Sequence, residues 1–174
     1  MSEQERAISG LNNGEVSKGI RNHLTASLSE LEMRMVLAIP EGGNWRDIPD
    51  DIESERVKRI KRTGGRTTYY GRLKWHRPAY TINTYFSRTG NGCFIHPVQH
   101  RLISLREGAR LQSFLDNFVF YGTKTSMYYQ IGNAVPPLFG RALGEAVRVN
   151  KFVDLFCGAG GFSCGMEMCG GTCE

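Results

Sequence analysis

The residues best suited to hold a ligand lie in one glycine-rich segment, DLFCGAGGFS, at residues 154–163. A short apolar run at 152–153 leads into it, so the pattern predicts a strand, a glycine turn and a helix that starts near Phe162. Such a turn brings backbone N–H groups up to a ligand. Because glycine has no Cβ, the ligand can lie directly against the main chain. The segment therefore predicts a site for a nucleotide-like ligand.

A nicotinamide dinucleotide fits this segment poorly. That cofactor requires Gly-x-Gly-x-x-Gly and an acidic residue about 20 positions further on, whereas the segment has Gly-Ala-Gly-Gly-Phe-Ser and thirteen residues follow Gly161. We expect no second strand in so short a stretch. Because a parallel strand is normally covered on both faces, we also expect Phe152, Val153 and Leu155 to lack most of their packing partners.

The cysteines predict neither a metal site nor disulfides. The chain has five of them, unevenly spaced, as expected of free thiols in a reducing cytosol. Cys164, Cys169 and Cys173 follow a C-x4-C-x3-C pattern, which is not the spacing of a zinc ribbon. Cys157 lies within the glycine segment, where we expect a small buried side chain.

Composition predicts a globular chain, with 40% hydrophobic and 22% charged residues. We find no apolar run of about 20 residues and no signal-peptide core, so we expect a cytoplasmic protein without a membrane partner. The net charge is +5, and residues 56–77 contain nine Lys or Arg and no Asp or Glu. This basic run can contact phosphate, and it can equally be a solvated surface.

The local pattern predicts helices separated by short strands and turns. Ser27 with Glu30, and Ser104 with Glu107, match the spacing of helix caps. The pattern predicts a loop at residues 1–21 and a tight turn before a helix at residues 130–137. The predicted helices cover residues 27–38, 50–62, 104–116 and 138–149, and the predicted strands cover residues 66–73, 80–84, 93–95, 118–120 and 152–153.

Three blocks of the sequence resemble the DNA (cytosine-5) methyltransferases of bacterial modification systems. DLFCGAGGFS at 154–163 resembles the opening cofactor motif of that family. RLISLREGARLQSFLD at 101–116 resembles the late motif that braces the recognition domain, and QIGNAVPP at 130–137 resembles the final motif. Weaker similarity occurs at residues 44–49, 72–82 and 95–97, so the resemblance covers roughly residues 20 to 163.

This resemblance implies an α/β fold. The implied fold is a fragment of a Rossmann-like S-adenosylmethionine-dependent methyltransferase domain, together with part of a small α+β DNA-recognition domain. Residues 1–125 would belong to the recognition domain and its bracing helix, and residues 126–174 would be a piece of the cofactor-binding domain. In the family the glycine motif comes first and QIGNAVPP last. The order here is reversed, as in a circular permutation, which neighbouring surface termini permit.

The implied activity is transfer of a methyl group from S-adenosyl-L-methionine to carbon 5 of cytosine in double-stranded DNA, within a restriction-modification system. The resemblance places the cofactor against two groups of residues and gives phosphate contacts to the basic run. The expected cofactor-binding residues are Phe156, Gly158, Ala159, Gly160, Gly161, Asn133, Ala134 and Val135. The expected DNA-binding residues are Arg59, Lys61, Arg62, Arg66, Arg72 and Lys74.

The catalytic motifs of the family are missing from this sequence. It contains no Pro-Cys nucleophile, no Glu-Asn-Val and no Gln-x-Arg-x-Arg segment, so we assign no catalytic residue. We assign no metal, because of the cysteine spacing described above. We therefore expect a fragment or subunit that is inactive alone and works with a second chain or a downstream segment carrying the nucleophile. The alternative is a non-catalytic DNA-binding or regulatory remnant.

Other polar and aromatic residues are expected to have structural roles. Charges at Arg106, Glu107 and Arg110 predict ion pairs that support the recognition domain. His96 is expected to be a hydrogen-bonded loop residue. Packing rather than base stacking is expected for Tyr69, Tyr70, Trp75 and His76.

Overall fold

The computed structural model describes residues 19–174, so most of the loop predicted at 1–21 lies outside the described residues. The helices are α1 (Glu30–Ala38), α2 (Glu55–Thr63), α3 (Leu105–Leu111), α4 (Lys124–Asn133), α5 (Pro137–Val147) and α6 (Gly161–Met168). The strands are β1 (Gly71–Arg72), β2 (Cys93–Ile95), β3 (Lys151–Phe152) and β4 (Thr172–Cys173), and 3-10 turns occur at Trp45–Asp47 and Thr89–Asn91. In this described part, no helix is long and apolar enough to cross a bilayer.

One hydrophobic core connects helices α1 to α4 with strand β2. Ile95, Leu102, Leu105 and Ile131 are completely buried at its centre. Strands β1 and β2 pair in parallel with an irregular register, and Ile95 forms an isolated antiparallel bridge with Leu102. This small sheet therefore serves as one wall of a mostly helical core.

Two helix starts illustrate how far local sequence rules reach. The Ser104 hydroxyl accepts a hydrogen bond from the Glu107 amide at 3.0 Å, and the Glu107 carboxylate accepts one from the Ser104 amide at 2.7 Å, so this predicted cap is confirmed. The cap predicted at Ser27 is wrong, because Ser29 caps α1 with Glu32 in the same reciprocal arrangement. The capping-box spacing recurs two residues later, which explains the error.

Several predicted boundaries also differ from the structure. The strand predicted at 66–73 is reduced to two residues, and residues 80–84 and 118–120 form no strand. Helix α2 begins at Glu55 rather than residue 50, because Ser54 caps it. Helix α3 ends at Leu111, since Ser113 has a left-handed backbone with φ of 64°.

Helix α4 was missed by the sequence prediction, which placed turns on either side of an unassigned segment. Thr123 caps it by accepting a hydrogen bond from Ser126. Met127, Tyr128 and Ile131 of α4 lie in the main core. The domain boundary expected between residues 125 and 126 therefore falls inside a helix that packs with the preceding residues.

The last part of the chain forms a strand–helix–strand unit. Strand β3 precedes α6 in the sequence and β4 follows it, and the two strands pair in parallel. The expectation that no second strand forms is therefore wrong. The expectation of missing packing partners is confirmed for Val153 and Leu155, which are 63% and 79% exposed. Phe152 is half-buried.

A buried ion pair fixes the start of α3. Arg101 donates two hydrogen bonds to the Glu107 carboxylate, at 2.7 and 2.6 Å, and both side chains are almost fully buried. Burial alone would raise the pKa of Glu107, but the hydrogen bonds and charge of Arg101 hold that pKa below its ordinary value. Arg101, rather than a charge on the same helix, is the partner of Glu107. Arg110 instead pairs with Asp116 at 2.6 Å.

Arg106 is completely buried and joins α3 to two neighbouring segments of chain. Its guanidinium donates to the carbonyl oxygens of Arg21 at 2.9 Å, Leu115 at 3.0 Å and Phe118 at 2.6 Å. The segment 118–120 is thus held by a side chain instead of by strand pairing. This confirms a structural role for Arg106, but the ion pair predicted for it is wrong, because its guanidinium binds backbone carbonyl oxygens instead.

His96 accepts two backbone hydrogen bonds, as expected of a loop residue. Its Nδ1 accepts from the amides of Val98 at 3.1 Å and Gln99 at 2.8 Å. This nitrogen must stay unprotonated, and burial lowers the pKa of His96 to about 4.

The His96 environment predicts acid sensitivity of the fold. The neutral ring is favoured in the folded state, so its contribution is complete above the ordinary pKa of 6.5 and is lost as pH falls from 6.5 towards about 4. This contribution is on the order of 3 kcal/mol. In chemical denaturation at several pH values, His96→Asn should flatten the loss of stability over this range, because asparagine keeps an acceptor and does not titrate. The exposed His76→Asn is the control, and equal pH profiles for the two variants would refute the assignment.

Candidate functional site

The glycine segment is folded back on itself by Asp154. One oxygen of its carboxylate accepts a hydrogen bond from the Phe156 amide at 3.2 Å, and the other accepts from the Ser163 hydroxyl at 2.5 Å. Gly158 and Gly160 have left-handed backbones, with φ of 53° and 83°, which a side chain would strain. The sequence therefore specifies this turn through its glycines and through one carboxylate.

The turn leaves an open surface in front of helix α6. Gly160 occupies the N-cap position, and no side chain caps the helix there. A Cβ built on Gly158 or Gly160 would meet no atom within 4 Å. Phe156 is 95% exposed. Free amides at a helix N-terminus favour a negatively charged or polar ligand group. Cys157 is also exposed, so the expectation that it is buried is wrong.

The second expected cofactor block lies at the junction of α4 and α5. Asn133 is exposed at the last residue of α4, Ala134 packs against the main core, and Val135 is 40% exposed. Pro136 and Pro137 start α5, where a fixed φ and a missing N–H are tolerated.

The two blocks touch through Gly161. A Cβ on this residue would lie 2.4 Å from the Val135 carbonyl oxygen and 2.9 Å from the Phe114 ring. Only glycine permits so close an approach. Segments that are about twenty residues apart in the sequence thus form one continuous surface, and this surface contains residues from both expected groups.

Helices α5 and α6 meet at backbone distance. A Cβ on Gly165 would lie 2.2 Å from the Pro137 carbonyl oxygen, and a Cβ on Gly140 would lie 2.9 Å from the Phe162 carbonyl oxygen. Glycines on both helices therefore determine how the strand–helix–strand unit docks on α5.

Residues that the sequence did not single out connect this site to α3. The Ser113 hydroxyl accepts a hydrogen bond from the Leu138 amide at 3.1 Å, at the start of α5. Gln112 donates from its side chain to the Ile131 carbonyl oxygen at 3.0 Å. Both residues lie in the 101–116 block. Their polar side chains at the end of a predicted helix are the only feature of the sequence that could have indicated these contacts.

Four charged residues of the basic run lie at the protein surface. Arg59 and Arg62 lie on α2, and Arg66 and Lys74 follow it. All four are exposed, and none has an ion-pair partner within residues 19–174. Their charges are therefore available to an external anion.

Arg72 and Lys61 do not belong to this group. Arg72 is 3% exposed, and its guanidinium donates to four carbonyl oxygens, those of Val36, Ile39, His96 and Gln99. Lys61 donates to the Ile48 carbonyl oxygen and to Asp50, each at 2.5 Å. The phosphate contact expected for Arg72 is excluded by burial, and the ammonium of Lys61 is engaged within the protein.

The aromatic residues of the basic run mostly pack internally. Tyr70 is buried, and Tyr69 packs against the core, as expected. Trp75 is half-buried and lies edge-on to His96, with ring centroids 5.9 Å apart. The expectation is wrong for His76, which is exposed.

The family model and the related proteins that match this chain are all DNA methylases or methyltransferases. Residues 4–148 match the model of the C-5 cytosine-specific DNA methylase family. The chain is 40% identical over 120 residues to the Type II methyltransferase M.Eco47II of Escherichia coli, and this match covers 65% of the chain and 28% of the relative. It is 35% identical over 136 residues to the Type II methylase M.HgiDII of Herpetosiphon aurantiacus, covering 75% of the chain and 38% of the relative.

A plant protein is similar as well. DNA (cytosine-5)-methyltransferase 3 of Arabidopsis thaliana is 34% identical over 143 residues, covering 74% of the chain and 10% of the relative. The chain thus spans between 10% and 38% of the length of these relatives. The family model ends at residue 148, before the glycine segment.

The backbone contact between α5 and α6 predicts a contrast between two glycine variants. Gly165→Ala would place a methyl group 2.2 Å from a backbone oxygen, so we expect the free energy of unfolding to fall by about 1–3 kcal/mol. Gly144→Ala is the matched control on the same contact. There the atoms nearest to the new methyl group would all be side-chain atoms, the sulfur atoms of Cys169 and Met166 and one methyl group of Val149, and none would be a backbone atom.

Alanine also favours a helix over glycine by about 1 kcal/mol in both variants. Gly144→Ala should therefore be close to neutral in urea denaturation. Equal destabilisation of the two variants would show that the helices do not meet at backbone distance.

Proposed function

Because the chain belongs to the C-5 cytosine-specific DNA methylase family, we propose that it is the recognition-side piece of a DNA (cytosine-5) methyltransferase of a restriction-modification system. It carries part of the S-adenosylmethionine site and part of the DNA-binding surface. The type II names of its bacterial relatives support this role.

One observation carries the proposal: Gly161 lies against Val135 at backbone distance. This contact unites the QIGNAVPP block and the glycine segment, although their order along the chain is the reverse of the family's. A circular permutation accounts for both facts, with residues 148–150 as the link between α5 and β3. In this interpretation the glycine segment is the family's opening motif, although the family model does not extend to it.

DNA methylases of this family use S-adenosyl-L-methionine as methyl donor. The open space beside Gly158 and Gly160 and the uncapped start of α6 fit this ligand, whose carboxylate suits free amides. Phe156, Ala159 and Gly161 would hold it from one side, and the 133–135 segment from the other. The donor supplies a methyl group on a positively charged sulfur, so a phosphate-binding lysine is not needed.

DNA is the proposed substrate and partner. Arg59, Arg62, Arg66 and Lys74 would contact its phosphates, which gives affinity without base specificity. Arg72 is withdrawn from the set because it is buried, and Lys61 because its ammonium is engaged internally.

A second polypeptide segment would carry the chemistry. The sequence has no Pro-Cys and no Glu-Asn-Val, so the thiolate that attacks the cytosine ring and its assisting carboxylate must come from elsewhere. Exposed apolar side chains on α5 and after β3 suit such a neighbour. They include Leu138, Phe139, Leu143, Val147 and Leu155.

A DNA-binding or regulatory protein without catalysis is the second candidate, and the acid-free basic run favours it. Neighbouring DNA that encodes Pro-Cys followed by Glu-Asn-Val supports the methyltransferase piece. Absence of such a frame supports the second candidate.

The direct test combines the purified chain with duplex DNA and methyl-labelled S-adenosylmethionine. We expect no labelled DNA, because the nucleophile is missing, and DNA binding that weakens steeply as salt rises. Substitution of both Arg59 and Arg62 by alanine should reduce the salt dependence, whereas Arg148→Ala removes an exposed charge elsewhere and is the control. Methyl transfer by the chain alone would overturn the proposal, and absence of DNA binding at low salt would overturn its DNA-binding part.

A further inference from the structure

Tyr85, Arg88 and Tyr129 form an exposed group that we call the tyrosine–arginine cluster. The rings of Tyr85 and Tyr129 meet edge to face, with centroids 6.2 Å apart. The guanidinium carbon of Arg88 lies over the Tyr85 ring, 5.3 Å from its centroid. The two tyrosines are 43% and 42% exposed, so the cluster reaches solvent although its members contact one another.

Buried residues hold this cluster in place. Phe86 is completely buried next to the exposed Tyr85 and packs on Tyr128 of α4, with ring centroids 4.5 Å apart. A Cβ on Gly132 would lie 2.3 Å from the Thr84 amide nitrogen, so α4 lies against the backbone of the segment that carries Tyr85. The Asn83 side chain accepts a hydrogen bond from the Tyr85 amide at 2.8 Å. The packing of α4 against residues 83–86 therefore fixes the positions of the cluster residues before any ligand binds.

The surroundings of the cluster carry no balancing negative charge in the sequence. No Asp or Glu occurs between Glu55 and Glu107, and none occurs between Asp116 and Glu145. Within residues 19–174, Arg88 has no ion pair. The Glu32 carboxylate, which lies on another segment, accepts hydrogen bonds from the Thr89 hydroxyl at 3.2 Å and from the Ser29 amide, and it forms no ion pair with Arg88. An anion would find an unpaired guanidinium here.

The geometry favours a phosphate over a base. Arg88 covers one face of the Tyr85 ring, and the Tyr129 ring lies roughly perpendicular to it, so a base cannot stack on the face that Arg88 covers. The guanidinium N–H groups remain available, together with one phenol O–H, because the hydroxyls of Tyr85 and Tyr129 are hydrogen-bonded to each other. A guanidinium matches phosphate oxygens in a planar fork, and a hydroxyl adds a further donor.

The cluster also adjoins the basic helix. Arg56 of α2 donates to the Gly90 carbonyl oxygen at 2.8 Å and to the Asn91 side chain at 3.0 Å, just after Arg88 in the chain. These two hydrogen bonds hold α2 against the turn that follows Arg88. A polyanion bound along the exposed charges of α2 can therefore extend to the cluster.

We propose that the tyrosine–arginine cluster binds a backbone phosphate of DNA and thereby positions the strand beside the α4 end of the cofactor surface. This inference rests on the proposed DNA-binding function, which it deepens by assigning residues outside the expected set.

The test is fluorescence anisotropy of labelled duplexes of two unrelated sequences over a salt series. We expect Arg88→Ala to weaken low-salt binding about tenfold for both duplexes, the loss of one charge-assisted contact. It should also lower the slope of log affinity against log salt by about one unit. The Tyr85→Phe and Tyr129→Phe double variant keeps the rings and removes the hydroxyls, so it should lower affinity and leave the slope unchanged.

Arg34→Ala, an exposed arginine on α1, is the matched control and should change neither quantity. Circular dichroism of each variant checks that the fold is kept, and Arg88→Lys, which retains the charge, should restore the slope. If the unmodified chain binds DNA and Arg88→Ala behaves like Arg34→Ala, the cluster is refuted and the proposed function stands. If the unmodified chain binds neither duplex at low salt, both fall. Loss for only one sequence would indicate base recognition and also refute the phosphate assignment.

Discussion

The packing of α5 against α6 at backbone distance is the constraint on which the site depends. Gly140 and Gly165 lack the Cβ atoms that would separate the helices, so carbonyl groups of one helix lie directly against the other. This places the turn before α6 next to the residues before α5. This packing leaves the first amides of α6 uncapped by any side chain and leaves Phe156 exposed.

A buried polar network around α3 supports that arrangement from the other side. Arg106 joins three backbone carbonyl groups, and the Arg101–Glu107 pair fixes the helix start. Breaking such a pair by removing one partner would leave a buried charge uncompensated. Just after this helix, the Gln112 side chain hydrogen-bonds to α4 and the Ser113 hydroxyl to the start of α5. The same segment therefore contacts both the hydrophobic core and the helix beside the candidate site.

Local rules predicted the parts of the fold that depend on nearby residues. The cap at Ser104 follows from a four-residue pattern, and the strand at Cys93–Ile95 follows from a short apolar run. The sequence could not show that Arg106 would hold residues 118–120 without a strand, because that contact depends on tertiary packing. For the same reason the sequence predicts a DNA contact for Arg72 that its burial excludes, since a charge in a basic run gives no sign of being buried.

The sequence predicts which segments form the candidate site, but it does not predict how these segments contact each other. The glycine segment and the 133–135 segment were identified from resemblance, but their contact through Gly161 depends on the glycines of α5 and α6. Tyr85, Arg88 and Tyr129 were not identified, because residues 85 and 129 become neighbours only when α4 packs against residues 83–84.

The most direct test of this account is amide hydrogen exchange of the isolated chain, resolved along α5 and α6. If the two motif blocks form one surface, the amides of both helices should show similar protection and should lose it together in mild denaturant. Exchange of α6 at the rate of an unfolded peptide, while α5 stays protected, would contradict the account, since the glycine segment would then not be docked beside Val135.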